Sequence, residues 1–235
     1  MKLRHPVLLA LAVAALPTLG AAQAHAFGTD AAALAPYRDS FTVLVRSTPL
    51  GFRTVELDRT RTGWRYADVI QIGAFVLQRT EIDLDAEGAV RQVMQGGQVQ
   101  GIDIRTSLTY RRGRAVGVTV TPAGGKAVTV TVNAAVPAGT IDDNAIPLYL
   151  PTLAWGADTA WSFPAFVSGE NALHTMRLHT IDSATVEVPA GRFATWVADL
   201  DGGPTAVRFF VTRSSPHHVV REELVGTPIE FILTH

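Results

Sequence analysis

Apolar residues recur at every second position along most of this chain, and helical periodicity is nearly absent. Phe41, Val43 and Val45 alternate with Thr42, Leu44 and Arg46. Val128, Val130 and Val132 alternate with Thr129 and Thr131, and Val207, Phe209 and Val211 with Arg208, Phe210 and Thr212. A period of two sends successive side chains to opposite faces of a strand, so each run can bury one face and wet the other, as antiparallel strands do.

The turns between the runs are legible. Asp85 to Gly88 should reverse the chain, as should Arg111 to Arg114, Ala123 to Lys126 and Asp201 to Pro204. In each, glycine supplies the positive φ that tight hairpins require. Gly124, Gly125 and Lys126 lack the spacing of a phosphate loop and sit between two strands, which makes them a hairpin. The expected fold is all-β (β-rich α+β): a curved antiparallel sheet or half-open barrel with one or two short helical inserts. No repeat or linker divides it.

One stretch, residues 134–157, breaks the alternation. Asp142 or Asp143 is placed to cap a short helix through Ile146, Leu148, Leu150 and Leu153. Pro147 is tolerated in a first turn, whereas Pro151 ends or kinks the helix. This apolar insert reads either as a plug that closes one end of the core or as a lid over a cavity, and apolar segments more often bury themselves. A second short helix is expected near Asp30 to Tyr37.

The N-terminus bears on compartment. Lys2 and Arg4 precede an apolar run from Val7 to Leu19, and Ala24, His25 and Ala26 follow in a small-x-small pattern. That order describes a cleaved secretory signal peptide, residues 1–26. The apolar run is shorter than the roughly 20 residues of a membrane-spanning helix. Residues 27–235 then form one β domain in the periplasm or outside the cell, with no membrane span after cleavage. Without the leader's two basic residues the chain has 18 basic and 21 acidic side chains, a net charge of −3. With no basic cluster, nothing recommends nucleic acid as a partner. The chain has no cysteine, so burial rather than disulfides must hold it in an oxidising compartment.

The C-terminal third has a distinctive pattern. Thr185 to Phe193 reads TVEVPAGRF, and Trp196 to Leu200, Val207 to Thr212, Pro216 to Arg221 and Ile229 to Leu233 follow. This resembles the bacterial domain-of-unknown-function family 3108, exported proteins in which such a strand start precedes a strand opening on Pro and closing on Arg. Asp142 to Leu150, Trp161 to Pro164, and Gly51 to Tyr66 are similar to that family's helix, next strand and opening hairpin. The resemblance spans residues 37–233. It implies a curved antiparallel sheet similar in architecture to LolA/LolB-like periplasmic lipoprotein carriers, whose half-barrels hold acyl chains. It implies no reaction and no catalytic residues.

Candidate chemistry is sparse. His217 and His218 are adjacent, so in a strand they face opposite ways and cannot share a metal; His174 and His179, five apart, do the same. Ser214 and Ser215 near His217 lack a nucleophile elbow. Asp142 and Asp143 fit a helix cap better than an acid–base pair. Arg221 suits a cross-strand ion pair with Glu187 or Glu223. No catalytic residue, metal site or cofactor is assigned.

The aromatics are more informative. Apolar residues on both faces of Phe193 to Leu200 and Arg208 to Phe210 suggest two buried surfaces, a core and a cavity or partner face. A mostly apolar pocket for a lipid-like ligand would be lined by Trp155, Trp161, Phe163, Trp196 and Phe210. Arg112 would stand at its mouth, with Arg105, Arg111 and Arg114 near it, although charges in a turn more often simply face solvent. The expected function is a non-catalytic binding or carrier module for an apolar ligand. The alternative is an envelope structural or assembly factor that binds a protein through a sheet edge or apolar face.

Overall fold

The computed structural model describes Phe27 and residues 31–235; the expected leader and the Asp30 cap lie outside those residues. Eight strands form an unbroken meander: β1 (Tyr37–Val45), β2 (Thr48–Arg59), β3 (Gly63–Ile72), β4 (Val76–Asp85), β5 (Val90–Val99), β6 (Ile102–Arg111), β7 (Arg114–Ala123) and β8 (Lys126–Ala135). The insert follows, with a two-residue strand β9 (Ile141–Asp142), a 3₁₀ turn (Asp143–Ala145), the one-turn helix α1 (Ile146–Tyr149) and a second 3₁₀ turn (Leu150–Thr152). A second meander completes the chain: β10 (Ala160–Val167), β11 (Ala172–Val188), β12 (Gly191–Asp201), β13 (Val207–Thr212), β14 (Val219–Leu224) and β15 (Ile229–Leu233).

All fifteen strands belong to one sheet, in the order β8-β7-β6-β5-β4-β3-β2-β1-β15-β14-β13-β12-β11-β10-β9. The two meanders join through the first and last strands, with Phe41 opposite Leu233 and Val45 opposite Ile229. Every neighbouring pair is antiparallel except β9 with β10. The expected alternation sets the inner face: Val55 and Leu57, Tyr66, Ile82, Val93, and Leu108 are buried in successive strands. The four turns named from sequence all join consecutive strands. At Asp30 to Tyr37, however, the chain forms only a 3₁₀ turn at Ala31–Ala33, and Tyr37 already opens β1. Pro36 lacks the amide hydrogen a helix would need there and biases Ala35 toward extended backbone.

At two glycines the neighbouring strand of the curved sheet leaves no room for a side chain. A side chain at Gly97 would lie 1.9 Å from the Leu77 carbonyl oxygen, and one at Gly117 would lie 1.9 Å from that of Ser107. Only glycine permits this close approach at these positive φ angles. The margin of the second meander lies over the inner face of the first. There the Tyr110 hydroxyl of β6 donates to Asp142, Gln95 of β5 donates to Asn144 at 2.9 Å, and Thr119 of β7 bonds Asn171 of the β10–β11 turn. The sheet thus closes by overlap rather than by joining its edges. Inside, Ile146, Leu148, Tyr149 and Leu150 of the insert pack into the common core with Trp161, Phe163 and Phe166. The insert buries its apolar side chains as a plug does.

Candidate functional site

Two clefts flank the plug at the same end of the barrel. The larger has a volume of about 440 Å³ and opens between the β4–β5 turn, the β6–β7 hairpin and the segment that leads into β9. Its floor is apolar: Phe27, Val90, Tyr110, Val136, Ile141 and Tyr149 line it. Its rim holds four arginines, Arg91, Arg111, Arg112 and Arg114, against one carboxylate, Glu87. The local cause is the two-residue hairpin. Arg112 (φ 48°) and Gly113 (φ 70°) both occupy the left-handed region, as a type I′ turn requires. The turn holds three arginines within four residues at the mouth. Arg91 pairs with Asp85, and Arg114 binds Asn133 at 2.7 Å. Arg111 and Arg112 are exposed, with no hydrogen-bond or ion-pair partner among the described residues.

Phe27 forms the back wall of this cleft, stacked on Phe163 with centroids 3.9 Å apart and set edge-on to Tyr149. The Tyr149 hydroxyl donates to the Gly88 carbonyl at 2.7 Å and ties the plug to the β4–β5 turn. Behind the wall, Asp142 accepts from the Asn144 amide and caps the 3₁₀ turn, as its position in the sequence suggested. Burial raises the pKa of both Asp142 and Asp143. For Asp143, burial and the neighbouring Asp142 charge push the value up to about 8. Asp142 is fully buried but accepts the closer hydrogen bonds, from Tyr110 and from Asn144 at 3.0 and 2.8 Å, whereas those to Asp143 from Asn144 and Ser168 are 3.2 to 3.3 Å long. Asp143 therefore holds the proton at neutral pH.

The second cleft, about 230 Å³, lies on the other side of the plug among Leu34, Tyr37, Leu57, Leu148, Pro151, His217 and His218. Beneath it, Tyr37 also borders a void of about 20 Å³, room for one water, that touches Arg53 and Glu222. Arg53 reaches from β2 across the inner face, over the Phe231 ring, to bind Asp68 at 2.7 Å and Glu222 of β14 at 2.7 Å. Burial opposes the Arg53 charge, but the two carboxylates outweigh it and hold its pKa well above the ordinary value. Burial raises the Glu222 pKa, against the pull of Arg53.

The residues named from sequence do not all meet. Arg112 stands on the rim of the larger cleft, and Phe163 lies directly behind its Phe27 wall. Trp161 packs edge-on to Trp155, whose indole donates to the Leu150 carbonyl at 2.8 Å. Trp196 is half-buried beneath Arg213, away from both clefts. Phe210 pairs with Arg221, which covers its ring, whereas Phe209 pairs with the inward-facing Glu222. Phe210 therefore faces outward and does not share a lining with Trp161. Arg105 sits in the first half of β6 and borders a different hollow with Arg79 and Met94, because six residues of extended strand put it roughly 20 Å from Arg111. Arg221 binds Glu223, but two residues along its own strand and not across strands as expected; its cross-strand partner is Glu230, which sequence did not indicate, and Glu187 lies opposite Arg192.

His217 donates from Nδ1 to the Thr212 carbonyl at 2.7 Å and His218 lies 3.6 Å from Asp39; the two precede β14 instead of lying in a strand, and both line the second cleft. Among the described residues no group of three or more His, Asp, Glu or Cys is arranged around a metal, and no helix is long and apolar enough to cross a membrane. The Arg53 cluster escaped the sequence reading. Its signal was available, since Arg53 falls in phase with buried Val55 and Leu57, and Asp68 with Tyr66.

Residues 97–234, more than half of the chain, match the model of a family described as protein of unknown function, DUF3108. The chain belongs to that family. No curated protein matches this DUF3108 member significantly. Among solved structures it is similar to a β-barrel-like protein of domain of unknown function DUF1849 from Brucella abortus, at 12% identity and a TM-score of 0.51 over 85% of this chain and 95% of that one. At that identity the likeness concerns the fold alone.

Proposed function

We propose that this DUF3108 protein is an exported, non-catalytic binding or carrier module of the cell envelope, and that its ligand is amphipathic with an anionic head. The observation that carries this reading is the larger cleft, with its apolar floor, its arginine rim and a volume of about 440 Å³. Ligand pockets of this kind are mostly apolar, run from about 300 to 1,000 Å³ and place a few polar groups to orient the ligand. Arg111 and Arg112 are the two rim cations without partners among the described residues, and they suit a carboxylate or phosphate. Phe27 supports the reading, because export cleavage after Ala26 would leave it as the first residue, already seated against Phe163. The alternative, an envelope assembly factor that holds a protein through a sheet edge, draws on the exposed strand β8.

Native mass spectrometry and displacement of a fluorescent fatty acid test the first reading. The expected result is uptake of long-chain fatty acid or phosphatidylglycerol that weakens as salt rises. R111Q/R112N should lower that affinity roughly tenfold, since exposed ion pairs contribute up to about 1 kcal/mol each and 1.4 kcal/mol is a decade in affinity. Asparagine at 112 is chosen because it tolerates the left-handed backbone there. Protein that stays empty, or binding indifferent to both substitutions, would overturn the reading.

A further inference from the structure

The two margins of the sheet are not alike. One ends in β9, two residues long and buried. The other ends in β8, ten residues long, with Lys126 to Thr131 all exposed. Natural proteins protect such a margin with proline, charge, a bulge or a covering segment. β8 has no proline and one charge, Lys126, at its very start. Its pairing with β7 runs without a break from Ala123–Lys126 to Arg114–Ala135. Because the sheet closes by overlap on β5 to β7, β8 overhangs, and its inward-facing Val128 and Val130 are exposed while Val132 is covered.

The turn settles which backbone groups are free. The two-residue loop at Gly124 and Gly125 makes Ala123 and Lys126 a hydrogen-bonded pair, and such pairs alternate along an antiparallel ladder. Pro122, which has no amide hydrogen, then falls opposite Ala127 in a non-bonded pair. At the far end the Val136 amide donates to the Gly113 carbonyl, in the same phase. The even-numbered residues of β8 therefore bond to β7, and the odd ones, including Thr129 and Thr131, direct their amide and carbonyl groups outward.

We propose that β8 pairs with β8 of a second copy, antiparallel about a twofold axis at Val130, so that one sheet runs through both molecules. This register sets Val128 against Val132 and Val130 against itself on the inner face, and Thr129 against Thr131 on the outer one. Lys126 meets Ala134, so no like charges oppose each other. The outward groups of Thr129 and Thr131 become hydrogen-bonded pairs, and the central valines a non-bonded pair with Cα atoms about 4.5 Å apart, within disulfide reach. The pairing depends on nothing in the arginine-rimmed cleft.

Sedimentation velocity on the processed protein across the micromolar range should show a reversible monomer–dimer equilibrium. T129K/T131K, on the exposed outer face, places lysine opposite lysine and should give monomer. T129K/T131E, which sets each new cation against a new carboxylate of the other copy, should restore the dimer. In this cysteine-free chain, V130C should form a disulfide-linked dimer on mild oxidation, while T129C alone should not. Monomer at every concentration would overturn the proposal, as would a dimer that survives T129K/T131K. Linkage of T129C as readily as V130C would overturn the register. Should T129K/T131K fail to fold by circular dichroism, the V130C and T129C comparison decides.

Discussion

Asp142 and Asp143 show how one residue type takes two roles from position alone. Both stand where the sequence placed a helix cap, and Asp142 performs it through the Asn144 amide at 3.0 Å. Their second property, raised pKa values with the proton on Asp143, arises only because the fold buries them. The Asp143 pKa rises from 3.8 in the unfolded chain to about 8 in the folded one, so the native state binds the extra proton between those values. Its contribution to stability is fully present below pH 4 and is lost as pH rises through about 8. Thermal unfolding should accordingly show the melting temperature falling between pH 5 and pH 9, and D143N, an isostere of the protonated acid, should flatten that fall. An unchanged slope would mean Asp143 is ionised throughout.

Among the elements, hairpins were the most legible and the insert the least. A hairpin is decided by a few neighbouring residues, such as Arg112 and Gly113, whose backbone preferences act wherever the chain lies. The insert instead has a helix broken by Pro147 and Pro151 into single turns, too short to persist in water alone. It is held by what it buries, above all Leu148 and Leu150, both fully enclosed. L148A should therefore cost about 2–5 kcal/mol. The urea midpoint should drop by the corresponding amount with little change in slope. A loss near zero would show that the segment lies over the core as a lid instead of filling it.

At the scale of the whole molecule, closure depends on contacts between residues remote in sequence. Arg53 joins β2 and β3 to β14 across the inner face, spanning the two strands between. Removing it would leave Asp68 and Glu222 buried with no counter-charge. R53M should destabilise the fold by about 3–5 kcal/mol, and E222Q by less, since its neutral side chain leaves Arg53 paired with Asp68. Equal losses in the two variants, measured by denaturant unfolding, would argue against a charge-driven seam.

The hairpin turns, the strands that alternate cleanly with their inward phase, and a cap at Asp142 or Asp143 were written in the chain itself, because each follows from steric and solvation preferences of residues a few positions apart. The arginines of the β6–β7 turn were visible for the same reason. Only the folded molecule decided that Phe210 faces outward, that Arg105 lies far from Arg112, that Arg53 meets Glu222 and that β8 is left uncovered. Those outcomes depend on how far the sheet curls before its margins overlap. Curvature accumulates over fifteen strands, and no local stretch of residues contains that sum.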